Sequence, residues 1–596
     1  MKKGRELWRT IRFLVGLSFR ADPLRTLVVL IVTPLQNVGA ALTGLWLKII
    51  VDAALAGDAQ KATWSSLALA TSVGANHLLT VVIAKLRIGL EDRTGLLLDQ
   101  RLMELTSGVP GIEHHERPEY LDRLEQLRYR RWLLRRSLSS IVGGLGVSAR
   151  AVGTAALLAT VHPAMLLLPL FAIPTVLVGI RLEKLSETVR KKIAEPNRLA
   201  NRLFRHMTSA TSGAEIRIFG LQEELLTRHG SLWAKAEEAL RGAEIKESVW
   251  STAAWIVFAT GYVGAMALAV VSAASGTATP GQVLLTVTTA GQINTSVAGV
   301  VTQIRTLLAQ ITSAGHYFWL ADYAEASKPR PGLSSCPSNI SRGLEIRGLS
   351  FQYPGTDKTV LSGINLRIPP GTTLAFVGEN GAGKTTLVKL LCRFYEPTEG
   401  SIEVDGFDIS SFDCTEWRDR IAVSFQDFCR FEFTAREAVG VGDLHRMDED
   451  DAIQGALTRA GATDVQSDLP SGMATQLGKS WENGVDLSGG QWQKLALARG
   501  LMAAHPFLQI FDEPTASLDA QTEHALFERF ARAANEAIET GTITVLVSHR
   551  FSTVRMADLI VVLENGEIAE VGSHEELIHA KGVYCELFGI QARSYK

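Results

Sequence analysis

The stretch Gly378-Glu379-Asn380-Gly381-Ala382-Gly383-Lys384-Thr385 decides how this chain is read. It is a Gly-x-x-x-x-Gly-Lys-Thr loop. The apolar run before it, Leu374 to Val377, reads as a strand, and the segment after it, Thr385 to Tyr395, reads as a helix. Glycines let backbone N–H groups turn inward around phosphates, Lys384 brings charge to the β and γ phosphates, and the Thr385 hydroxyl can ligate Mg²⁺. The helix start adds its own partial positive charge. Such a loop can arise by chance; the strand before it and the helix after it are what make it a nucleotide site.

Working outward, the chain is not uniform. Its 596 residues exceed one ordinary domain of roughly 150 residues. Mean hydropathy is +0.12 with 46% hydrophobic residues, and both the charges and the apolar runs are unevenly spread. A net charge of −2 gives no general nucleic-acid footprint, so no nucleic-acid partner is expected. The five cysteines, Cys336, Cys392, Cys414, Cys429 and Cys585, lack zinc-site spacing and read as reduced thiols.

Upstream of the loop, apolar segments long enough to cross a hydrocarbon core of about 30 Å, which takes roughly 20 helical residues, recur through the first half. Six are expected: Thr26 to Val51, Trp64 to Ile88, Leu138 to Val161, Pro163 to Ile180, Val249 to Ala274 and Val283 to Ile304. The connections Arg87 to Arg136 and Arg181 to Lys246 are densely basic, whereas the other turns carry almost no positive charge. The positive-inside rule therefore places both termini and the phosphate loop in the cytoplasm. The long connections have helical periodicity and read as helices projecting beyond the membrane, with turns near Arg117 to Arg123 and Ser212 to Gly220. The basic N-terminus reads as an amphipathic helix at the membrane surface, because its short apolar stretch lacks a cleavage site. Asn76, His77 and Arg150 fall inside spans. Either they line a polar substrate path, or they pack against partner helices or sit near an interface.

Downstream, three further features join the phosphate loop. Tyr353, in Phe351-Gln-Tyr-Pro, is an aromatic placed to stack on adenine, although a lone aromatic there is more often core. The strand Leu508 to Phe511 ends in Asp512-Glu513, where one carboxylate can hold Mg²⁺ through water and the next can orient or deprotonate an attacking water. Leu487-Ser488-Gly489-Gly490-Gln491 opens a helix that runs through Arg499 and offers a second anion site. One chain thus carries two phosphate sites.

With these motifs in this order, the chain resembles an exporter-type half-transporter of the ATP-binding cassette family, and the resemblance covers essentially its whole length. It implies a membrane α-helical domain at 1–327, a linker at 328–343 and an α/β P-loop ATPase domain at 344–596. In that family two cassettes pair head to tail, so a second half-transporter is the expected partner, with a homodimer favoured. The resemblance implies that Tyr353 stacks on adenine and that Gly378 to Thr385, with Thr386, holds the phosphates of ATP. It makes Gln426 a Mg²⁺-sensing loop glutamine, Ser488, Gly489, Gly490 and Gln491 the signature, and Asp512, with Thr385 and Gln426, the Mg²⁺ residues. Glu513 becomes the catalytic base, His549 the switch histidine and Asp519 the residue coupling the two sites; Lys384 completes the catalytic set. One departure stands out: exporters often carry Gly-Glu-x-Gly before the signature, whereas here Leu477 to Gly484 offers only Glu482 for that acidic role.

The function implied is ATP-driven transport across the cell membrane by alternating access, with a lipid, a peptide or an amphipathic small molecule as cargo. The alternatives are an importer built on the same fold and a channel-like or regulatory protein that uses ATP as a ligand. The six spans disfavour a soluble remodelling ATPase. Processing of leader peptides is not expected, since no cysteine precedes the first span.

Overall fold

The computed structural model describes residues 2–210, 212–328, 334–513, 541–548 and 550–594. The chain makes two compact units, one of residues 1–106 and 123–323, the other of residues 107–122 and 324–596.

The first unit is helical, as lipid demands: a segment in hydrocarbon must satisfy every backbone N–H and C=O within itself. Helices α1 (Lys2–Ala21), α2 (Pro23–Ala41), α3 (Thr43–Leu55) and α4 (Ala59–Ser107) open the chain. Helix α5 (Glu113–Glu116) and the first turn of α6 (Pro118–Arg135) belong to the second unit; the rest of α6 and α7 (Ser137–Ala159) continue the first. Then come α8 (Leu168–Phe171), α9 (Ile173–Lys192), α10 (Ala194–Thr208), α11 (Gly213–Ile218), α12 (Gln222–Ala274) and α13 (Pro280–Ala326). Thr10, Leu14, Leu17 and Ser18 lie buried on one face of α1. Asp22 ends that helix and caps the next: its carboxylate accepts from the Arg25 backbone N–H at 3.0 Å and pairs with Arg93 at 2.6 Å.

By length and composition, five stretches among the described residues can cross a membrane: Pro23–Leu55, Ala59–Ser107, Ser137–Ala159, Pro163–Ser186 and Gln222–Ala274. The sixth expected span lies within α13, where Gln292, Asn294 and Ser296 interrupt the apolar run. The first projecting turn comes earlier than Arg117 to Arg123. Helix α4 stops at Ser107 because Gly108, Pro110 and Gly111 cannot continue it. The second turn, between α10 and α12, falls where the sequence puts it.

A polar seam runs along α13 at a spacing of seven residues, the repeat that keeps one helix face toward its neighbour. Ser296 accepts from Arg150 Nε at 3.1 Å. Gln303 lies over Gly143, where a Cβ would come within 3.1 Å of its amide nitrogen. Gln310, fully buried, donates to Ser140 Oγ at 2.9 Å and to the Leu133 carbonyl at 3.2 Å. Arg305 is held by Glu183 at 3.0 Å and Glu247 at 2.8 Å, which ties α13 to α9 and α12. Asn76 is half-buried and His77 exposed.

The second unit contains two sheets. Strands β1 (Leu344–Gln352), β2 (Thr359–Ile368), β4 (Glu399–Val404) and β5 (Phe407–Asp408) form an antiparallel sheet in the order β2-β1-β4-β5. The larger sheet comprises β3 (Thr373–Val377), β6 (Ile421–Ser424), β7 (Leu508–Asp512), β8 (Ile543–Val547), β9 (Leu559–Glu564) and β10 (Glu567–Gly572). Its order is β10-β9-β3-β8-β7-β6, parallel except for the β10 edge. Strands β3 and β8 are buried at every position, as continuous apolar runs in a parallel sheet should be. All five cysteines are free.

Candidate nucleotide site

In a parallel sheet the ligand gathers outside the carboxyl ends of the strands. Here β3 runs into the phosphate loop, β6 into Gln426 and β7 into Glu513, so topology alone collects three of the expected groups at one edge. Helix α14 (Lys384–Leu391) leaves the loop, with Gly383 as its N-cap at φ +104°. It ends before Tyr395, earlier than the sequence suggests, because Arg393 turns to φ +52° and breaks the helical path. Two glycines are sterically required. At Gly378, φ +152°, a Cβ would sit 2.2 Å from the Leu563 carbonyl oxygen; at Gly383 it would sit 2.6 Å from Leu361 Cδ2.

A cavity of about 700 Å³ lies over this edge. Tyr353, Asn380, Gly381, Gly383, Lys384, Thr385, Thr386, Gln426 and Glu513 line it, and Val360 does so as well. Val360 carries no sequence signal beyond being one apolar residue of a strand. Lys384 Nζ donates to the carbonyls of Gly378 at 2.8 Å and Glu379 at 2.9 Å, and Ala382 is buried beneath the loop. Burial draws the Lys384 ammonium below the ordinary lysine pKa, with the charges of Glu513 and Asp512 opposing. Tyr353 is fixed by its hydroxyl, 3.1 Å from Thr386 Oγ1, and by edge-on packing against Phe351 and Tyr395.

The acidic pair divides into a buried and an accessible member. Asp512 is 2% exposed, and its Oδ1 has no hydrogen-bond partner among the described residues. Burial, then the neighbouring Glu513 charge, pushes its carboxyl up to about 6. A buried carboxylate oxygen left without a donor suits a cation. Among the described residues no three acids, histidines or cysteines cluster into a metal cage. That combination fits Mg²⁺, which usually takes one or two carboxylates and completes its shell from substrate phosphates and water. Glu513 takes φ +48°, a left-handed conformation costing a non-glycine residue roughly 1–3 kcal/mol. Its N–H donates to the Val547 carbonyl at 2.9 Å, and its side chain reaches the cavity.

The residues expected to form the signature lie elsewhere. Ser488 caps helix α15 (Gly489–Gly500) in a reciprocal capping box with Gln491, which leaves Gly489 and Gly490 at a helix start near the surface. None of Ser488 to Gln491 lines the cavity. Glu482 is exposed beside Asn483, which stands at φ +61°. His549 and Asp519 lie outside the described residues.

Comparison with known proteins agrees with this architecture. A family model described as ABC transporter matches residues 361–516. An ATP-dependent lipid A-core flippase of Chromobacterium violaceum is 31% identical over 450 residues, 74% of this chain and 73% of that protein. The flippase of Cupriavidus metallidurans is 41% identical over 286 residues, 48% of this chain and 46% of that protein. The chain therefore spans about half the length of the first curated relatives it matches. A bacterial Atm1-family ABC exporter solved with ATP bound superposes with a TM-score of 0.71 at 25% identity, covering 96% of this chain and 99% of that one.

Proposed function

The chain belongs to the ABC transporter family, as an exporter-type half-transporter, and on that premise we propose that two copies of it hydrolyse ATP to export a lipid-like amphipathic molecule. The observation that carries the reading is the divided site. Lys384, Thr385, Gln426 and Glu513 share one cavity, while the signature helix start of the same chain faces elsewhere. A second copy turned head to tail brings its Ser488 to Gln491 over that cavity.

In this reading the loop N–H groups and Lys384 bind the phosphates, and Tyr353 stacks on the base. Glu513 accepts the proton of the attacking water, and Gln426 holds the Glu513 carboxylate. Mg²⁺, held by the Thr385 hydroxyl and Asp512, neutralises charge on the β and γ phosphates when bound. For the rest the protein supplies positioning and fixed charge, which is what phosphoryl transfer requires. His549 and Asp519 take the switch and coupling roles. The positive-inside distribution supports an ATPase unit on the cytoplasmic side of a cell-membrane protein.

Arg150 supports a cargo with an anionic head. A central Arg costs a membrane helix about 2.5–3.5 kcal/mol. Among the described residues its assigned partner is the Ser296 hydroxyl, and no carboxylate pairs with it. Two of the chain's relatives are lipid A-core flippases, which supports the same chemistry. The test is reconstitution in proteoliposomes with ATP supplied to one side, following a headgroup-labelled anionic lipid. Net movement away from the ATP side, lost in Glu513→Gln, is expected. Movement toward that side makes the protein an importer, and ATP hydrolysis without lipid movement refutes the cargo assignment.

A further inference from the structure

The turn that joins α4 to α6 packs with the second unit, and it is fastened there twice. The first fastening is backbone. The Ile112 N–H donates to the Phe394 carbonyl at 3.4 Å, and Arg418 donates to the Pro110 carbonyl at 2.5 Å. Gly111 lies so close that a Cβ would meet the Phe394 carbonyl oxygen at 2.8 Å.

The second fastening is one carboxylate, Glu116 on α5. One of its oxygens takes the Lys389 ammonium at 3.1 Å and the other accepts the Tyr395 hydroxyl. Both partners lead to the same ring. Lys389 Nζ lies 5.3 Å from the centroid of Tyr353, and Tyr395 meets Tyr353 edge to face at 5.3 Å. Lys389 also stands on α14, one turn beyond Thr385 and Thr386, so it belongs to the helix that opens at the phosphate loop. Burial lowers the Lys389 pKa, but the contacts with Glu116 and Tyr353 together outweigh it and the net shift is upward, so the cation is held charged. The Tyr395 hydroxyl is likewise kept protonated, by burial and then by the bond to Glu116.

We propose that Glu116 is a positioning residue for the nucleotide base: through Lys389 and Tyr395 it sets the Tyr353 ring, so that the α4–α6 turn is tied to whether a base is stacked there. The proposal rests on the reading of Tyr353 as the base-stacking aromatic. A carboxylate fits the post because it alone can take an ammonium on one oxygen and a hydroxyl on the other. Glutamine keeps an acceptor for Tyr395 but loses the charge that fixes Lys389; alanine loses both.

The experiment uses the purified full-length chain and three variants, Glu116→Gln, Glu116→Ala and Tyr353→Ala. ATPase kinetics give kcat and KM for ATP, and inorganic tripolyphosphate, which has no base, serves as competitor. Glu116→Ala is expected to raise KM for ATP on the order of threefold to tenfold, the worth of one partly exposed charged contact, with Glu116→Gln in between. The tripolyphosphate inhibition constant should stay unchanged, and Glu116→Lys combined with Lys389→Glu should restore part of the ATP affinity. If ATP and tripolyphosphate weaken together, Glu116 is merely structural and the proposal is overturned. If Tyr353→Ala raises KM for ATP while both Glu116 variants leave it unmoved, the proposal fails and the base-stacking reading survives. If Tyr353→Ala itself leaves KM unchanged, both fall.

Discussion

Gln426 and Glu513 meet side chain to side chain: the Gln426 amide donates to Glu513 Oε2 at 2.8 Å. The glutamine comes from the loop after β6 and the glutamate from the end of β7, so the bond spans the edge where two neighbouring parallel strands end. It occupies one oxygen of a carboxylate already held in a left-handed backbone conformation. The direction of the carboxylate is thus set by the chain's own contacts.

In the proposed reading, replacing Glu513 by Gln removes the proton acceptor and leaves the cavity's shape nearly intact. Turnover should fall at least about a hundredfold, the usual worth of a general base, while ATP binding persists. Equilibrium binding of a fluorescent ATP analogue beside steady-state phosphate release measures both. Sustained turnover in this variant would show that the carboxylate is not the base.

Lys384 makes its hydrogen bonds to the Gly378 and Glu379 carbonyls, and in the proposed reading it exchanges them for phosphate oxygens. Lys384→Ala should weaken ATP binding by roughly tenfold to a hundredfold, the range expected for charged hydrogen bonds. Titration of the purified variant checks this, and unchanged affinity contradicts the role. Asp512→Asn should abolish the Mg²⁺ requirement's benefit instead: metal-free nucleotide still binds, and adding Mg²⁺ no longer restores hydrolysis.

Arg150 is the fourteenth of the 23 residues of α7, its Nε on Ser296. Arg150→Gln should slow ATP-driven movement of an anionic lipid on the order of tenfold relative to a lipid of no net charge. Parallel flux measurements with the two labelled lipids decide it. Equal loss for both would mean that Arg150 only holds α7 against α13.

The parts of the site legible in the sequence are those whose demands are local. A turn around phosphates needs Gly378 and Gly383 at fixed spacing. A carboxylate at a strand end shows as Asp512-Glu513 after an apolar run, and a helix start shows as Ser488 with Gln491 three residues on. Five of the six expected spans are equally readable among the described residues; in α13 the polar residues Gln292, Asn294 and Ser296 dilute the hydropathy. What the sequence could not show depends on tertiary contact. Glu116 and Lys389 stand 273 residues apart. No local pattern announces that an exposed acid after two histidines meets the helix of the phosphate loop. The early end of α4 is legible in principle, since Gly108, Pro110 and Gly111 are helix breakers that precede the expected turn at Arg117 to Arg123. The end of α14 was less so, because Arg393 adopts a positive φ that its residue type does not advertise.

The central claim is that each ATP is enclosed by two chains, and hydrolysis by complementary variants tests it most directly. Ser488→Arg leaves its own cavity intact but spoils the helix start offered to a partner, whereas Lys384→Ala does the reverse. Each variant alone should be inactive. Mixed before assembly, they should recover about a quarter of the wild-type ATPase rate, because half of randomly formed dimers are mixed and each then has one of its two sites whole. Wild-type turnover by the Ser488→Arg chain on its own would contradict the account.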